Sequence, residues 1–89
     1  MPTMIMRHTV ADFDKWKPVF EANRPLREEY GVADVGLYRD ITSANEVVVV
    51  LSTEDLERAR EFGDSDSLRE AMREAGVISK PTVWFLNEA

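Results

Sequence analysis

Short apolar stretches alternate along the chain with longer segments in which apolar residues recur every third or fourth position. Thr3–Val10 (TMIMRHTV) is β-branched and apolar and reads as a strand. Alternation puts Met4, Met6, His8 and Val10 on one face and Ile5, Arg7 and Thr9 on the other. Asp12 or Asp14 then caps a helix start. Phe13, Trp16 and Phe20, with Val19, Leu26 and Tyr30 on an adjacent stripe, make residues 12–30 the longest helical candidate. Two prolines constrain it. Pro18 fits only a first turn, so the main helix is expected to begin near Lys15–Lys17, after a separate turn over residues 12–16. Pro25 removes the hydrogen bond to the Glu21 carbonyl and predicts a kink or break.

Tyr30-Gly31-Val32 reads as a helix stop with glycine at the left-handed position. Val32–Asp40 is the second predicted strand, Thr42–Asn45 a turn, and Glu46–Ser52 the third strand. Its four consecutive valines predict a central strand covered on both faces. Ser52 with Asp55 predicts a capping box opening a helix over residues 54–62, with Leu56, Ala59 and Phe62 on one face and Gly63 as its stop. Ser67 with Glu70 predicts another, opening a helix over residues 68–75 that buries Leu68, Ala71, Met72 and Ala75. Gly76-Val77 stops it, Lys80-Pro81 enforces an extended entry, and Thr82–Leu86 is the last strand.

The order is β-α-β-β-α-β, with the second helical region split in two. That is the ferredoxin-like α+β arrangement: one domain over residues 1–89 with a four-stranded antiparallel sheet. Right-handed crossovers place the helices on one face. The other face is left bare and apolar, and a second copy of the chain is the expected cover.

Composition narrows the function. The chain has 89 residues, 44% hydrophobic and 31% charged, as a globular domain does. Its net charge of −6 argues against nucleic acid as a partner, because phosphate binding needs a basic face. No apolar run is long enough for a membrane span, and no secretory pattern opens the sequence, so a cytoplasmic location is expected. There is no cysteine, which removes disulfides, thiolate metal sites and thiol nucleophiles. A domain this small has a thin core, another reason to expect association.

With this topology, the segments RHTVADFDKWKPVFEAN, ANEVVVVLSTEDLERAREF and LREAMREAGVISKPTVWFL become informative. They resemble the dimeric α/β-barrel superfamily, and within it the small antibiotic-biosynthesis-monooxygenase-like domain, over nearly the whole chain. The shared elements are a strand followed by D-x-x-x-W and an aromatic four residues later, here Asp12, Trp16 and Phe20; then an apolar third strand, D-L-E-x-A-R-x-F, and A-G-V before P-x-V-x-F-L. The resemblance implies a homodimer with its sheets face to face and a cavity between sheet and helices in each subunit. It includes cofactor-independent monooxygenases of polycyclic phenols, polyketide cyclases, haem-degrading enzymes and lactone isomerases, besides proteins with no known activity. Pro25 departs from the unbroken first helix usual in that fold.

His8, the only histidine, is the candidate general acid/base. Asn23 and Arg24 precede the Pro25 break; Asn23 is a candidate oxyanion donor and Arg24 a candidate clamp for a carboxylate or enolate. Trp16, Phe20, Tyr38, Phe62, Met72 and Trp84 are candidate walls for an apolar or aromatic organic ligand, Trp16 and Trp84 foremost. Each has a plainer reading as core packing or solvated surface, and Asp12 and Asp14 read more simply as caps than as partners of His8. Arg7 and Arg39, inside strands, are expected to pair with Asp or Glu at a dimer interface, with binding of an anionic substrate as the alternative. His8, Asp12 and Asp14 do not form a known metal-ligand spacing, so no metal is expected. Haem is disfavoured: His8 lies on a strand, and the superfamily's haem degraders usually take their axial ligand from elsewhere. No cofactor is therefore expected. Metallochaperone, RNA-recognition and acylphosphatase-like readings fail for want of a cysteine pair, a basic aromatic strand pair and a phosphate-cradling loop. Two readings stay open: a cofactor-free monooxygenase, cyclase or isomerase, and a non-catalytic ligand-binding or stress-related dimer.

Overall fold

The computed structural model describes residues 2–89. Strand β1 spans Thr3–Thr9, helices α1 and α2 Phe13–Ala22 and Arg24–Glu29, strands β2 and β3 Val32–Arg39 and Glu46–Thr53, helices α3 and α4 Leu56–Asp64 and Asp66–Ala75, and strand β4 Thr82–Leu86. The strands lie in the order β2-β3-β1-β4 and every neighbouring pair is antiparallel. This is the ferredoxin-like α+β fold predicted from the strand and helix order.

Alternation along the two central strands decides which face is buried. Met4, Met6 and His8 of β1 and Val47, Val49, Leu51 and Thr53 of β3 are buried on the helix side. Trp16, Ala59, Phe62, Leu68 and Ala75 pack down on them from the helices. The reverse face carries Ile5, Val48 and Val50, half-buried, and Trp84 and Leu86, exposed. The valines of β3 do mark a central strand, but within this chain only one of its faces is covered.

Strand β2 holds a bulge between Asp34 and Gly36. Asp34 pairs with Leu51 and Leu37 with Val49, so both fall on the helix side, and Val35 is the extra residue between them. The bulge also turns Arg39 toward the helices and Tyr38 toward the open face.

Several local expectations are corrected. Helix α1 begins at Phe13, not near Lys15–Lys17: the Asp12 carboxylate accepts the Asp14 N–H at 3.0 Å and the Asp12 carbonyl accepts Trp16 N–H at 2.9 Å. Pro18 therefore sits inside the helix. Pro18 and Asp14 are both exposed, so water can meet the carbonyl that the proline leaves without a donor. At Pro25 the expected break is present. Asn23 ends α1, donating its backbone N–H to the Val19 and Phe20 carbonyls, and Pro25 stands in the first turn of α2.

Helix α3 starts later than predicted because Ser52 still belongs to β3. Asp55 is the cap instead, accepting the Arg58 N–H at 3.3 Å. Gly63 does not stop this helix but lies within it. Ser65 does both jobs at the next junction: it ends α3, and its hydroxyl caps α4 by accepting the Leu68 N–H at 3.1 Å, in place of Ser67. After α4, Gly76 is left-handed (φ +82°) and Val77 N–H reaches back to the Met72 carbonyl.

Candidate functional site

The site lies between the sheet and the helices. Met6 and His8 of β1, with Val49 and Leu51 of β3, form its floor. Trp16, Phe20 and Asn23 make one wall, Arg27 closes the end, and Phe62 with residues of α4, including Met72, makes the other wall. The hollow measures about 50 Å³ and is almost wholly apolar.

His8 is 5% exposed, and neither ring nitrogen has a hydrogen-bond partner among the described residues. A buried imidazole left this way is costly unless it serves something. Its ring meets Trp16 edge-on, with centroids 5.6 Å apart. Burial pushes the His8 pKa below the ordinary 6.5, and the negative field of Glu46 opposes this in part. The imidazole is thus neutral at neutral pH, with one nitrogen able to take a proton and the other to donate one. Asp12 and Asp14 do not orient it. Asp12 caps α1 and both are exposed.

Trp16 belongs to a row of rings along α1. It stacks on Phe20 at 4.8 Å and meets Phe13 at 5.8 Å. A guanidinium lies over each end of the row, 3.9 Å from the ring centroid: Arg39 over Phe13 and Arg27 over Phe20. Arg39 therefore packs on the helix side of the sheet, and it also donates to the Ala44 carbonyl at 2.8 Å. Arg7 is on the open face, as expected, and pairs within the chain with Glu46 at 3.1 Å.

The structure brings His8, Trp16, Phe20, Asn23, Phe62 and Met72 together around one hollow. Three other expected members stand elsewhere. Tyr38 and Trp84, 60% and 42% exposed, are on the opposite side of the sheet, Tyr38 because of the β2 bulge and Trp84 because it pairs with Ile5. Arg24 lies outside the hollow, in a neighbouring groove. One Asn23 amide N–H is already given to the Val19 carbonyl at 2.8 Å.

Sequence reasoning missed Arg27. It is 4% exposed and forks onto Asp34, with Nε–H to Oδ1 at 2.6 Å and Nη2–H to Oδ2 at 3.0 Å; Nη1 donates to the Phe20 carbonyl at 2.8 Å. This pairing holds the Asp34 carboxyl below its ordinary pKa. The signal was present: Phe20, Asn23 and Arg27 follow helical spacing, so the stripe that carries the first two carries the third. Among the described residues no group of three or more His, Asp or Glu side chains is placed to hold a metal ion, and no helix is long and apolar enough to cross a membrane.

No protein-family model matches the chain, and neither does any curated protein. Solved structures do. A Bordetella bronchiseptica protein assigned as an antibiotic biosynthesis monooxygenase superposes with a TM-score of 0.80 at 18% identity, over 99% of this chain and 96% of its own. The chain has the fold of the antibiotic-biosynthesis-monooxygenase-like proteins. A second protein so assigned, from Caulobacter crescentus, gives 0.74 at 15% identity over 99% and 89% of the two chains. SnoaB of Streptomyces nogalater, a cofactor-independent oxygenase, gives 0.69 at 16% identity over 99% and 94%. At such identities the likeness is one of fold, and the chemistry must be argued from the side chains.

Proposed function

We propose that this protein is a homodimer that binds a flat, largely apolar aromatic molecule in the sheet–helix hollow and oxidises it without a cofactor. The observation that carries the reading is His8: a buried, neutral imidazole, unpartnered, on the floor of an apolar site. Such a group can take the proton of a weakly acidic phenol or of a methylene flanked by aromatic carbonyl groups. The resulting anion has carbanion character and reduces dioxygen directly. For a methylene substrate one oxygen atom enters as a carbonyl and the other leaves as water, so no external reductant is needed. Trp16 and Phe20 would hold the rings face-on, and the free N–H of the Asn23 amide would meet the developing oxyanion. Because the hollow is only about 50 Å³, an aromatic substrate would enter by displacing half-buried wall residues such as Met72 and Phe20. The fold shared with SnoaB is compatible with this chemistry. The homodimer rests on the apolar open face of the sheet, around Ile5, Val50 and Trp84.

The test is oxygen uptake with anthrone-type and naphthol substrates. Turnover is expected in the wild type, and His8→Phe is expected to lower it at least about 100-fold with its thermal unfolding retained. Undiminished turnover in that variant would remove His8 from the mechanism. One observation favours a non-catalytic binding protein instead: among the described residues no carboxylate hydrogen-bonds to His8 to fix its tautomer. That reading predicts saturable binding of the same compounds with no oxygen consumed.

A further inference from the structure

The hollow has a polar annex. Between α1–α2 and β2 runs a half-open groove of about 530 Å³, bordered by Glu21, Arg24, Asp34 and the bulged segment of β2. Two residues line both spaces: Phe20 and Arg27. The stacked pair is therefore the partition between them, with the guanidinium 3.9 Å from the ring centroid.

The groove lining carries two arginines and two carboxylates, but they are not paired one to one. Asp34 is gripped at both oxygens by the buried Arg27. Arg24 reaches the same Oδ2 only at 3.4 Å and is 64% exposed. The groove's other carboxylate, Glu21, lies 3.6 Å from Lys17. Two guanidinium groups thus share the Asp34 carboxylate, and Arg24 is the more loosely held of the two. In a chain of net charge −6 the groove lining is neutral, so it lacks the acidic excess of the chain as a whole.

We infer that groove and hollow are two halves of one ligand site, and that the ligand carries an acidic group which Arg24 binds while its apolar ring system passes the Phe20–Arg27 partition toward His8. The inference rests on the proposed use of the hollow and adds the substrate class: aromatic acids, carboxylates foremost. Arg27 stays clamped by Asp34 as a fixed post, and Phe20, half-buried, is the side that yields. Arg24 binds the acid because its contact with Asp34 is long enough to be surrendered, whereas the Arg27 fork is not.

The test compares 2-naphthoate with its neutral isostere 2-naphthamide by isothermal titration calorimetry at low salt. The wild type is expected to bind naphthoate about tenfold more tightly than naphthamide. Arg24→Gln should reduce that preference to less than about twofold with little change for the amide, and Arg24→Lys should keep part of it. Equal binding of the two probes by the wild type, or a preference that survives Arg24→Gln, would overturn the Arg24 subsite and leave the hollow standing. Ala71→Phe, which puts a ring into the hollow, is expected to abolish binding of both. Binding of neither probe by the wild type, or unchanged binding in a folded Ala71→Phe protein, would overturn the hollow as a ligand site and this inference with it. Arg24 is exposed, so its variants are expected to fold, and their thermal midpoints check it.

Discussion

His8 affects stability as well as chemistry. A buried imidazole with a lowered pKa binds its proton later than the unfolded chain does. Acid therefore favours unfolding from about pH 6.5 downward, and the loss is complete once the folded pKa is passed. Urea unfolding midpoints should fall across that range in the wild type and stay flat in His8→Phe. A second, deeper acid limb belongs to Asp34. Its carboxyl is held below 3.8, chiefly by the hydrogen bond from Arg27, so its contribution is present above that pH and lost below it. Arg27→Met should remove much of that limb and cost about 3 kcal/mol at neutral pH, read from the same urea curves. The lower end of the usual range applies, because Arg24 remains beside Asp34. Helical spacing put Trp16 and Phe20 on one face of the first helical segment, whereas alternation grouped His8 with Met4 and Met6 without settling which side of the sheet that group faces. Arg27 was legible only in part: helical spacing puts it on the stripe of Phe20 and Asn23, but its burial depends on Asp34, which comes from a later strand.

At the level of elements, the sequence showed the number, type and order of secondary structures and misplaced their joints. Joints are decided by which of several competent caps is used. Ser52, Asp55, Ser65 and Ser67 can all cap a helix, and only the reach of β3 and the packing of Phe62 select Asp55 and Ser65. Pro18 misled for a related reason: an exposed proline can be tolerated in a helix whose inner face is anchored by Trp16. Tolerance is not neutrality. Pro18→Ala should restore one backbone hydrogen bond and raise stability by about 1–3 kcal/mol. The two glycines near helix ends should respond in opposite directions. Gly63 is helical, and a Cβ there would stand 3.5 Å from the Met4 Cε, an ordinary contact, so Gly63→Ala should stabilise by about 0.5–1 kcal/mol. Gly76 is left-handed, and Gly76→Ala should cost about 1 kcal/mol although space is available. Thermal or chemical unfolding of the three variants checks the signs. Tyr38 shows the limit of alternation: counted evenly from Val32 it would face the helices, and one bulge residue sends it to the other side.

Considered whole, the molecule has a finished side and an unfinished one. The helix side holds the core and the hollow. The open side exposes Trp84, Leu86 and Tyr38 beside the partly covered Ile5, Val48 and Val50, more apolar surface than a small monomer comfortably shows water. If that side joins two copies, Val50→Asp should yield monomers in sedimentation velocity while leaving secondary structure intact, and an unchanged sedimentation coefficient would place the contact elsewhere. This level was readable in the sequence through topology, since both helical regions had to lie on one face. What spacing could not reveal was how narrow the hollow is, because its volume depends on how rings from α1 and side chains from α4 settle against each other.

The sheet also separates the chain's two indoles. Trp16 is sealed on one side of it, 2% exposed and within 5.6 Å of His8, and Trp84 stands on the other at 42%. Each is a private lamp for its own compartment. With Phe at position 84, emission comes only from the chamber and will dim or shift when a ligand arrives or His8 takes its proton. With Phe at position 16, emission comes only from the outer surface and will move to the red as copies part on dilution. The same cuvette can thus follow occupancy and assembly as independent signals, and show whether one event governs the other.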